Sequence, residues 1–503
     1  MNRGRIATVG LAGLLAVAGL CLLPTIAQAA PRRDRALETQ LMDHIRVLAS
    51  DDFEGREPGT DGEAKTLRYL GRQWFDIGLV SGTNDPGHEW FAPVTLVARQ
   101  PAASSAQFSR KGRRQYVPND AVLMLTSGRR SLVREAPVLF VGKAQGSLPS
   151  RNDLAGRVAL LLDAGNETSQ RQNALLDAGA SAVLTILDGN RSIEGVAARR
   201  KRSGYALASD DLGGDLEGFI TRYGMERLLQ GSGRTVASLE ADAERPDFVA
   251  QPLDLNATLE ATTTETTIRT HNLIGKLPGR RPEAGAVLFV AHWDHFGVCA
   301  ESPAEDLVCN GAIDNASGVA VLTEVARRLA RGPQPQFDRD IYFLATTAEE
   351  LGLLGAHAFA ENPPLPIKQI VAAFNIDSVA IAPAGTPLAI LGRGMTPLDA
   401  RIAQVARQQR RKLVDDPASN AAINGYVRRQ DGWALLQHDI PAVMVTSAYG
   451  DLKRLEAYFE GDYHRPSDDL KHPIELGGAA EDVAFQVALA RYFADARRVP
   501  LRP

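Results

Sequence analysis

The sequence predicts an α/β protein with a doubly wound, mostly parallel sheet, helices on both faces, and a smaller inserted β-rich α/β module. Two observations support this class. Beyond about residue 270, short apolar runs typical of buried strands alternate with helical patterns. Between about 133 and 250, further short strands lack the His, Asp and Glu motifs of the later part. At 503 residues, the chain is long enough for more than one core.

The composition is that of an ordinary globular protein. The chain is 44% hydrophobic and 23% charged, which excludes a disordered polymer and a membrane-embedded body. Its net charge is -4, and its basic run at 199–202 has no interleaved aromatic residues. These features are not those of a nucleic-acid-binding surface, so we expect no nucleic-acid partner.

Residues 1–29 have the three parts of an export signal. Two arginines and an apolar run precede an Ala-x-Ala site that ends at Ala29, which predicts cleavage there. We therefore expect an exported protein, periplasmic or secreted. Cys21 leaves a lipid-anchored form as an alternative, although Leu20 stands where that signal has a small residue. No later stretch is long and apolar enough to span a bilayer, so no stable membrane insertion is expected after cleavage.

Export would leave Cys299 and Cys309 as the two cysteines of the mature chain. In an oxidising compartment, two cysteines this close together predict a disulfide. A cysteine-ligated zinc ion is the alternative.

The first mature segment, 30–130, is expected to form the N-terminal part of the main domain. Apolar residues recur at helical spacing from Leu37 to Leu48. A turn-rich loop over 53–63 then leads into a second helix from about 64 to 78.

Segment 131–255 is interpreted as the inserted module. Its short apolar strands lie at 136–141, 158–162 and 182–187, around a helix near 174–178.

The remaining segment, 256–503, alternates strand and helix. We expect strands at 287–290, 341–344, 370–374 and 442–445, and a helix at 316–329. Sheets of this type bind ligands beyond the carboxyl ends of their parallel strands.

Polar motifs follow these strands in a fixed order. They comprise His292, Asp294, His295, Asp314, Glu349, Glu350, Asp377, Tyr463 and His464. Taken singly, an Asp before a helix is often a cap, and paired glutamates often occupy a first helical turn. Taken together, two imidazoles and several carboxylates are the ligand types of a pair of zinc ions that activate water.

The expected metal ligands are His292, Asp314, Glu350, Asp377 and His464. Two neighbouring ions need a carboxylate that spans them, and Asp314 is the candidate. His292 and Asp377 would complete one site, and Glu350 and His464 the other.

Two further residues receive roles beside the metal ligands. With Glu350 committed to metal, Glu349 is free to act as the general base. Asp294 is suited to accept the other N–H of the His292 imidazole.

The ordered set resembles a known family, the co-catalytic zinc aminopeptidases (peptidase family twenty-eight of the metallo class, clan MH). The family pattern of His-x-Asp, Asp-Asn-x-Ser-Gly, Glu-Glu, Asn-x-Asp and Tyr-His is met from His292 to His464. The loop at 55–59 resembles the same family, and segment 131–255 resembles its protease-associated domain.

The resemblance implies the zinc exopeptidase fold and several residue roles. It implies that Tyr463 stabilises the oxyanion and that His295 supports the metal ligands. It also places Arg429 or Asp431 at the rim of the substrate pocket, although Gln430 replaces the small residue usual there.

The function predicted from the sequence is that of an exported aminopeptidase with two Zn²⁺ per chain. It would hydrolyse the N-terminal bond of peptide substrates through an activated water, with Glu349 as the base. A carboxypeptidase or dipeptidase of the same fold, an enzyme that cyclises N-terminal glutamine, and a non-catalytic receptor-like protein are the alternatives. The motifs His-Glu-x-x-His and Gly-x-Ser-x-Gly of other hydrolases are missing.

Overall fold

A computed structural model describes residues 33–501, except 88, 144–145, 166–167, 203 and 211–212. The predicted signal peptide, 1–29, lies outside the described residues. Within them, no helix combines the length and the apolar character needed to cross a bilayer.

Strands and helices are numbered in chain order. Strands β1 to β17 lie at Val80–Ser81, Phe91–Arg110, Arg113–Gln115, Val122–Thr126, Arg130–Phe140, Val158–Leu162, Ala182–Ile186, Tyr205–Leu207, Leu216–Ile220, Gln251–Leu277, Ala286–His292, Gly297–Val298, Val308–Cys309, Asp340–Thr346, Ile370–Asn375, Ala389–Leu391 and Ala442–Thr446. Helices α1 to α14 lie at Arg35–Leu48, Asp61–Ile77, Arg151–Leu154, Thr168–Asp177, Ile193–Arg202, Arg222–Leu229, Val236–Ala243, Gly318–Ala330, Leu354–Glu361, Asp399–Gln408, Pro417–Asn424, Asp431–Gln437, Leu452–Gly461 and Gly477–Phe493.

One mixed sheet contains most of the strands. Among the described residues it has fifteen, with the central order β16-β17-β15-β11-β14-β10-β5-β6-β7-β9-β4. Strands β17, β15, β11 and β14 form one parallel block, and β5, β6, β7 and β9 form a second. Strand β10 pairs antiparallel with a member of each block and so joins them. The predicted α/β class with a mostly parallel sheet is confirmed.

Strand β11 shows why the apolar runs are continuous. Val287, Phe289 and Ala291 pack in the largest core, which also receives residues of α1, α2, α8, α10 and α14. Leu288 and Val290 face the other side of the sheet, where α9 and α12 cover them. Because helices cover both faces, every position along the strand is apolar.

Each predicted strand coincides with an observed one, although those predicted at 136–141 and 182–187 extend one residue beyond β5 and β7. Helix α1 begins and ends close to the predicted helix. The helix predicted at 316–329 begins two residues later, at Gly318, because 312–317 forms an irregular turn around Asp314. The long strands β2 and β10 were not predicted. Their exposed stretches are rich in polar residues, and they pair mainly with each other over a long antiparallel ribbon.

A second core lies in the outer half of the sheet. It joins Phe140, Val158 and Leu184 to Phe108 and Met124. The boundary expected at 130/131 divides this core, because its first members precede residue 131. The boundary expected at 255/256 falls inside β10.

Candidate metal centre

The carboxyl ends of three parallel strands bring the predicted residues to one edge of the sheet. Strand β11 ends at His292, β14 ends three residues before Glu349, and β15 ends two residues before Asp377. Asp314 comes from the turn before α8, and His464 follows α13. These segments meet at the edge where doubly wound sheets bind ligands.

His292 lies at the centre of this group. Its Nε2 is 3.2 Å from Oδ1 of Asp314, 3.5 Å from Oδ1 of Asp377 and 4.0 Å from Oε2 of Glu349. All four side chains are buried. A buried imidazole among three carboxylates is an environment that a divalent cation stabilises.

His464 lies on the other side of Asp314. Its Nε2 is 3.3 Å from Oδ2 of Asp314 and 3.1 Å from Oε2 of Glu350. The two oxygens of Asp314 thus face different histidines, which is the arrangement of a bridging carboxylate.

The separations fit zinc. Two ligand atoms about 2.0–2.1 Å from one tetrahedral ion lie about 3.3–3.4 Å apart. The four contacts of the five expected ligands span 3.1–3.5 Å. The Glu349 contact with His292, at 4.0 Å, exceeds that spacing. Compact donor groups form around His292 with Asp314 and Glu350, and with Glu349 and Asp377.

The carboxyls of Glu349 and Asp314 have pKa values shifted in opposite directions. Burial raises the pKa of Glu349 well above its ordinary value, and the charges of Glu350 and Asp377 add to this effect. Burial opposes ionisation of Asp314 as well, but hydrogen bonds from His292 and His464 hold its pKa well below the usual range. Asp314 is therefore charged, whereas Glu349 binds a proton readily.

The side chain of Asp294 holds the Glu349–Glu350 turn. Its Oδ1 accepts from the backbone N–H of Glu349 at 3.1 Å, and its Oδ2 from that of Glu350 at 3.4 Å. The Nδ1 of His292 is closer to the backbone oxygen of Asp294, at 3.2 Å, than to its carboxylate, at 3.7 Å. The carboxylate therefore orients the glutamates as well as facing the imidazole.

The local structure does not support the alternative roles, which were a helix cap for Asp314 and a first helical turn for Glu349 and Glu350. The N-cap residue of α8 is Ser317, and the side chain that accepts from the N–H of Gly318 is that of Asn315, at 2.9 Å. The glutamates lie in the turn before α9, which begins at Leu354. Nδ1 of His295 contacts Oε1 of Glu350 at 2.5 Å, so this histidine supports a ligand position.

Tyr463 stacks on His464, with ring centroids 3.6 Å apart. Burial raises the pKa of this phenol, and the charges of Asp314 and Glu350 add to that effect. The hydroxyl therefore stays protonated and can donate a hydrogen bond.

The two residues expected at the pocket rim lie in different environments. Arg429 is exposed and lies over the ring of Tyr426, at 5.5 Å. Asp431 is only 1% exposed and accepts from the hydroxyl of Thr346. Asp431 is therefore buried at the start of α12, and the predicted role of both residues at the substrate pocket stays a prediction.

Asp468 is a site residue that the sequence reasoning missed. Its Oδ1 accepts from the N–H of Ile313 at 2.8 Å. Its Oδ2 accepts from the N–H of Asp314 at 3.0 Å and from the hydroxyl of Tyr458 at 2.9 Å. It fixes the backbone that presents Asp314. The only signal in the sequence is its position four residues after His464.

Arg56, in the loop at 55–59, joins several backbone segments around the site. The side chain is 1% exposed and donates to the backbone oxygens of Trp293, Leu48, Asn310 and Gly311 at 2.6–3.0 Å. Burial lowers its pKa to about 10, so it remains charged at neutral pH.

The predicted disulfide between Cys299 and Cys309 is confirmed. It joins the short hairpin of β12 and β13 beside the metal centre. Phe296, just before the hairpin, lies 4.6 Å from the His464 ring between centroids.

Removing this disulfide is expected to loosen the hairpin. Because the cysteines are ten residues apart, the chain-entropy model gives a loss of about 3 kcal/mol in the Cys299→Ser/Cys309→Ser variant. Thermal unfolding of the variant and of the native protein, each with and without reductant, measures the effect. Reductant should lower the native midpoint and leave the variant unchanged; equal midpoints for all four samples would contradict the expectation.

The doubly wound sheet thus carries, at its strand ends, a cluster of histidines and carboxylates that could hold metal ions. The family model described as Peptidase family M28 matches residues 272–491, the part of the chain that carries the candidate metal centre.

Three known proteins are similar to this chain over different parts of its length. Aminopeptidase YwaD of Bacillus subtilis (strain 168) is 33% identical over 153 residues, which are 30% of this chain and 30% of that protein. An aminopeptidase from Aneurinibacillus sp. strain AM-1 has a similar fold, with a TM-score of 0.51 at 19% identity, over 93% of this chain and 96% of the other. A zinc aminopeptidase from Bacillus subtilis gives a TM-score of 0.44 at 17% identity, over 92% and 96% of the two chains.

Proposed function

We propose that this protein is an exported zinc aminopeptidase that removes N-terminal residues from peptides. The observation that supports it best is the position of Asp314, whose two oxygens face His292 and His464 while Glu349 stands beside them. The matched segment of the Bacillus subtilis relative is part of a protein named as an aminopeptidase.

Five residues would hold two zinc ions: His292, Asp314, Glu350, Asp377 and His464. Zinc bound there supplies Lewis acidity and lowers the pKa of water. The mixed nitrogen and oxygen donor set and the tetrahedral spacing of the contacts favour zinc over magnesium or calcium, which prefer oxygen donors and six or more ligands.

The protein's own residues would move the proton and orient the substrate. Glu349, with its raised pKa, accepts a proton from the attacking water and returns it to the leaving amine. Tyr463 donates a hydrogen bond to the oxygen that becomes negative. Asp294 and Asp468 hold the backbones of Glu349 and Asp314, so these carboxylates keep their positions during the reaction.

The organisation of the chain extends this proposal. The signal at 1–29 would direct export, and the confirmed disulfide agrees with an oxidising compartment. We further propose that the strands and helices of 131–255, with the neighbouring strands that share their core, form a protease-associated module.

Chelation and a substrate panel test the function. We expect a zinc chelator to abolish hydrolysis of aminoacyl arylamides and about two equivalents of Zn²⁺ per chain to restore it. N-acetylated substrates should remain intact, because a free amino group is required. Cleavage of N-blocked peptides from the C-terminus would indicate a carboxypeptidase instead. Release of ammonia from N-terminal glutamine would indicate a cyclase, and zinc content near zero with no turnover would indicate a receptor-like protein.

A further inference from the structure

We propose, on the basis of the proposed aminopeptidase function, that Tyr449 positions the substrate by accepting a hydrogen bond from its free α-amino group. This tyrosine lies apart from the sequence motifs. It is 6% exposed, and its hydroxyl has no hydrogen-bond partner among the described residues. The hydroxyl is not one of the fully buried unpaired side-chain atoms, so a ligand can reach it and form a hydrogen bond with it.

The sheet places Tyr449 beside a metal ligand. It lies in the turn Ala448–Gly450, directly after β17, and β17 runs parallel to β15. Met444 on β17 pairs with Asn375 on β15, and Asp377 follows two residues later. Tyr449 and Asp377 therefore leave the same edge of the sheet from adjacent strands.

The turn that presents Tyr449 is held firmly. Asp482 accepts from the hydroxyl of Thr446 at 2.8 Å and from the N–H of Ser447 at 2.7 Å. A Cβ on Gly450 would lie 1.9 Å from the backbone oxygen of Pro387, so only glycine fits there. A fixed turn keeps the phenol in place at little entropic cost on binding.

Aromatic contacts connect Tyr449 to the opposite side of the centre. Its ring lies 5.8 Å from that of Tyr426 and 6.4 Å from that of Phe459, both edge to face. Phe459 contacts Tyr463 at 4.7 Å, and Tyr463 stacks on His464. The two tyrosines, Tyr449 and Tyr463, therefore belong to one aromatic wall along the metal centre.

Electrostatics distinguish the two phenols. Burial raises the pKa of Tyr449 well above its ordinary value, and among the charged groups Asp377 adds most to this effect. For Tyr463 the largest charged contributions come from Asp314 and Glu350. The geometry agrees: Tyr449 follows β17, which pairs with the strand that leads to Asp377, whereas Tyr463 stacks on His464.

The placement of one tyrosine on each side of the centre matches the two polar groups at the N-terminus of a peptide, its α-amino group and its first carbonyl. The α-amino nitrogen and the scissile carbonyl oxygen are separated by only two carbon atoms, so the two groups can reach neighbouring metal sites. Tyr463 is the donor for the carbonyl oxygen. Tyr449, on the other side, can contact the amino group. Its phenol oxygen accepts a hydrogen bond from an N–H of that group.

A matched pair of inhibitors tests this role. L-leucinol has a free amino group, and 4-methylpentan-1-ol is the same skeleton without it. Calorimetry measures their binding to zinc-loaded native protein and to the Tyr449→Phe and Tyr426→Phe variants. We expect Tyr449→Phe to weaken leucinol binding about fivefold to tenfold, the loss of one hydrogen bond, and to change 4-methylpentan-1-ol binding less than about twofold. Tyr426→Phe should leave both unchanged.

Kinetics give a second readout. In Tyr449→Phe, KM for an aminoacyl arylamide should rise by the same factor, with kcat within about twofold of native. Equal weakening of both inhibitors would show that Tyr449 is only an apolar wall, and no change in either would also overturn the proposal. Calorimetry does not depend on turnover. A native protein that binds leucinol but leaves aminoacyl arylamides intact would therefore contradict the proposed function separately.

Discussion

Replacement of Glu349 by glutamine is expected to lower kcat by about a hundredfold to ten-thousandfold. Glutamine keeps the size and the hydrogen-bonding oxygen of the side chain but cannot accept the proton of the attacking water. The backbone N–H of residue 349 would still donate to Asp294, so the turn should keep its shape. Steady-state hydrolysis of aminoacyl arylamides and metal analysis of the same preparation measure activity and zinc content together.

Two controls separate the base from its neighbours. Glu361→Gln alters an exposed glutamate at the end of α9 and should behave as the native protein. Glu350→Gln should lower zinc content, because that carboxylate contacts His464 at 3.1 Å. An active Glu349→Gln variant would remove Glu349 from the mechanism. A Glu349→Gln variant that lost zinc as Glu350→Gln does would make Glu349 a ligand instead.

Replacement of Arg56 by methionine is expected to lower the free energy of unfolding by about 3–5 kcal/mol. Four buried backbone oxygens would lose a donor. That of Gly311 would keep the N–H of Ala316, whereas those of Trp293, Leu48 and Asn310 have no second donor among the hydrogen bonds of the described residues. The buried carboxylates of Asp468, Asp294 and Asp314 would also lose a compensating positive charge. Since these backbones surround the site, zinc affinity should fall as well.

Denaturant unfolding and zinc titration measure these two effects. Arg46→Met is the matched control, because Arg46 lies exposed on α1 and its ion pair among the described residues is with Asp43. Exposed ion pairs contribute about 0–1 kcal/mol, so this variant should unfold near the native midpoint. If Arg56→Met unfolded there too, the four hydrogen bonds would have no net stabilising role.

The metal-site residues could be predicted because their signal is local. His292, Glu349 and Asp377 each follow a strand whose continuous apolar run marks it as buried on both faces. Arg56 and Asp468 have no such signal, because their partners lie far away in the sequence. Their roles depend on which loops the fold brings together.

The outer strands were harder to predict for a different reason. Strand β10 has alternating burial over its first part and mostly polar residues through its centre. Its partner β2 shows the same polar stretch, and neither has the compact apolar run of a strand covered on both faces. The burial of Asp431 likewise depends on the packing of α12, which its neighbouring residues do not reveal.

Strand β10 also helps to hold the turn that carries Glu349 and Glu350, and this contact depends on which face of the sheet each β10 side chain occupies. Near its end, Asn272 accepts from the N–H of Thr347 at 3.0 Å and donates to the oxygen of Gly355 at 2.8 Å, on either side of the glutamate pair. Successive side chains of a strand point to opposite faces. One residue inserted between Thr262 and Asn272 would therefore move the side chains on one side of the insertion to the opposite face of the sheet. Either the outer core or the turn that holds Glu349 would then lose its contacts, although the insertion lies outside both.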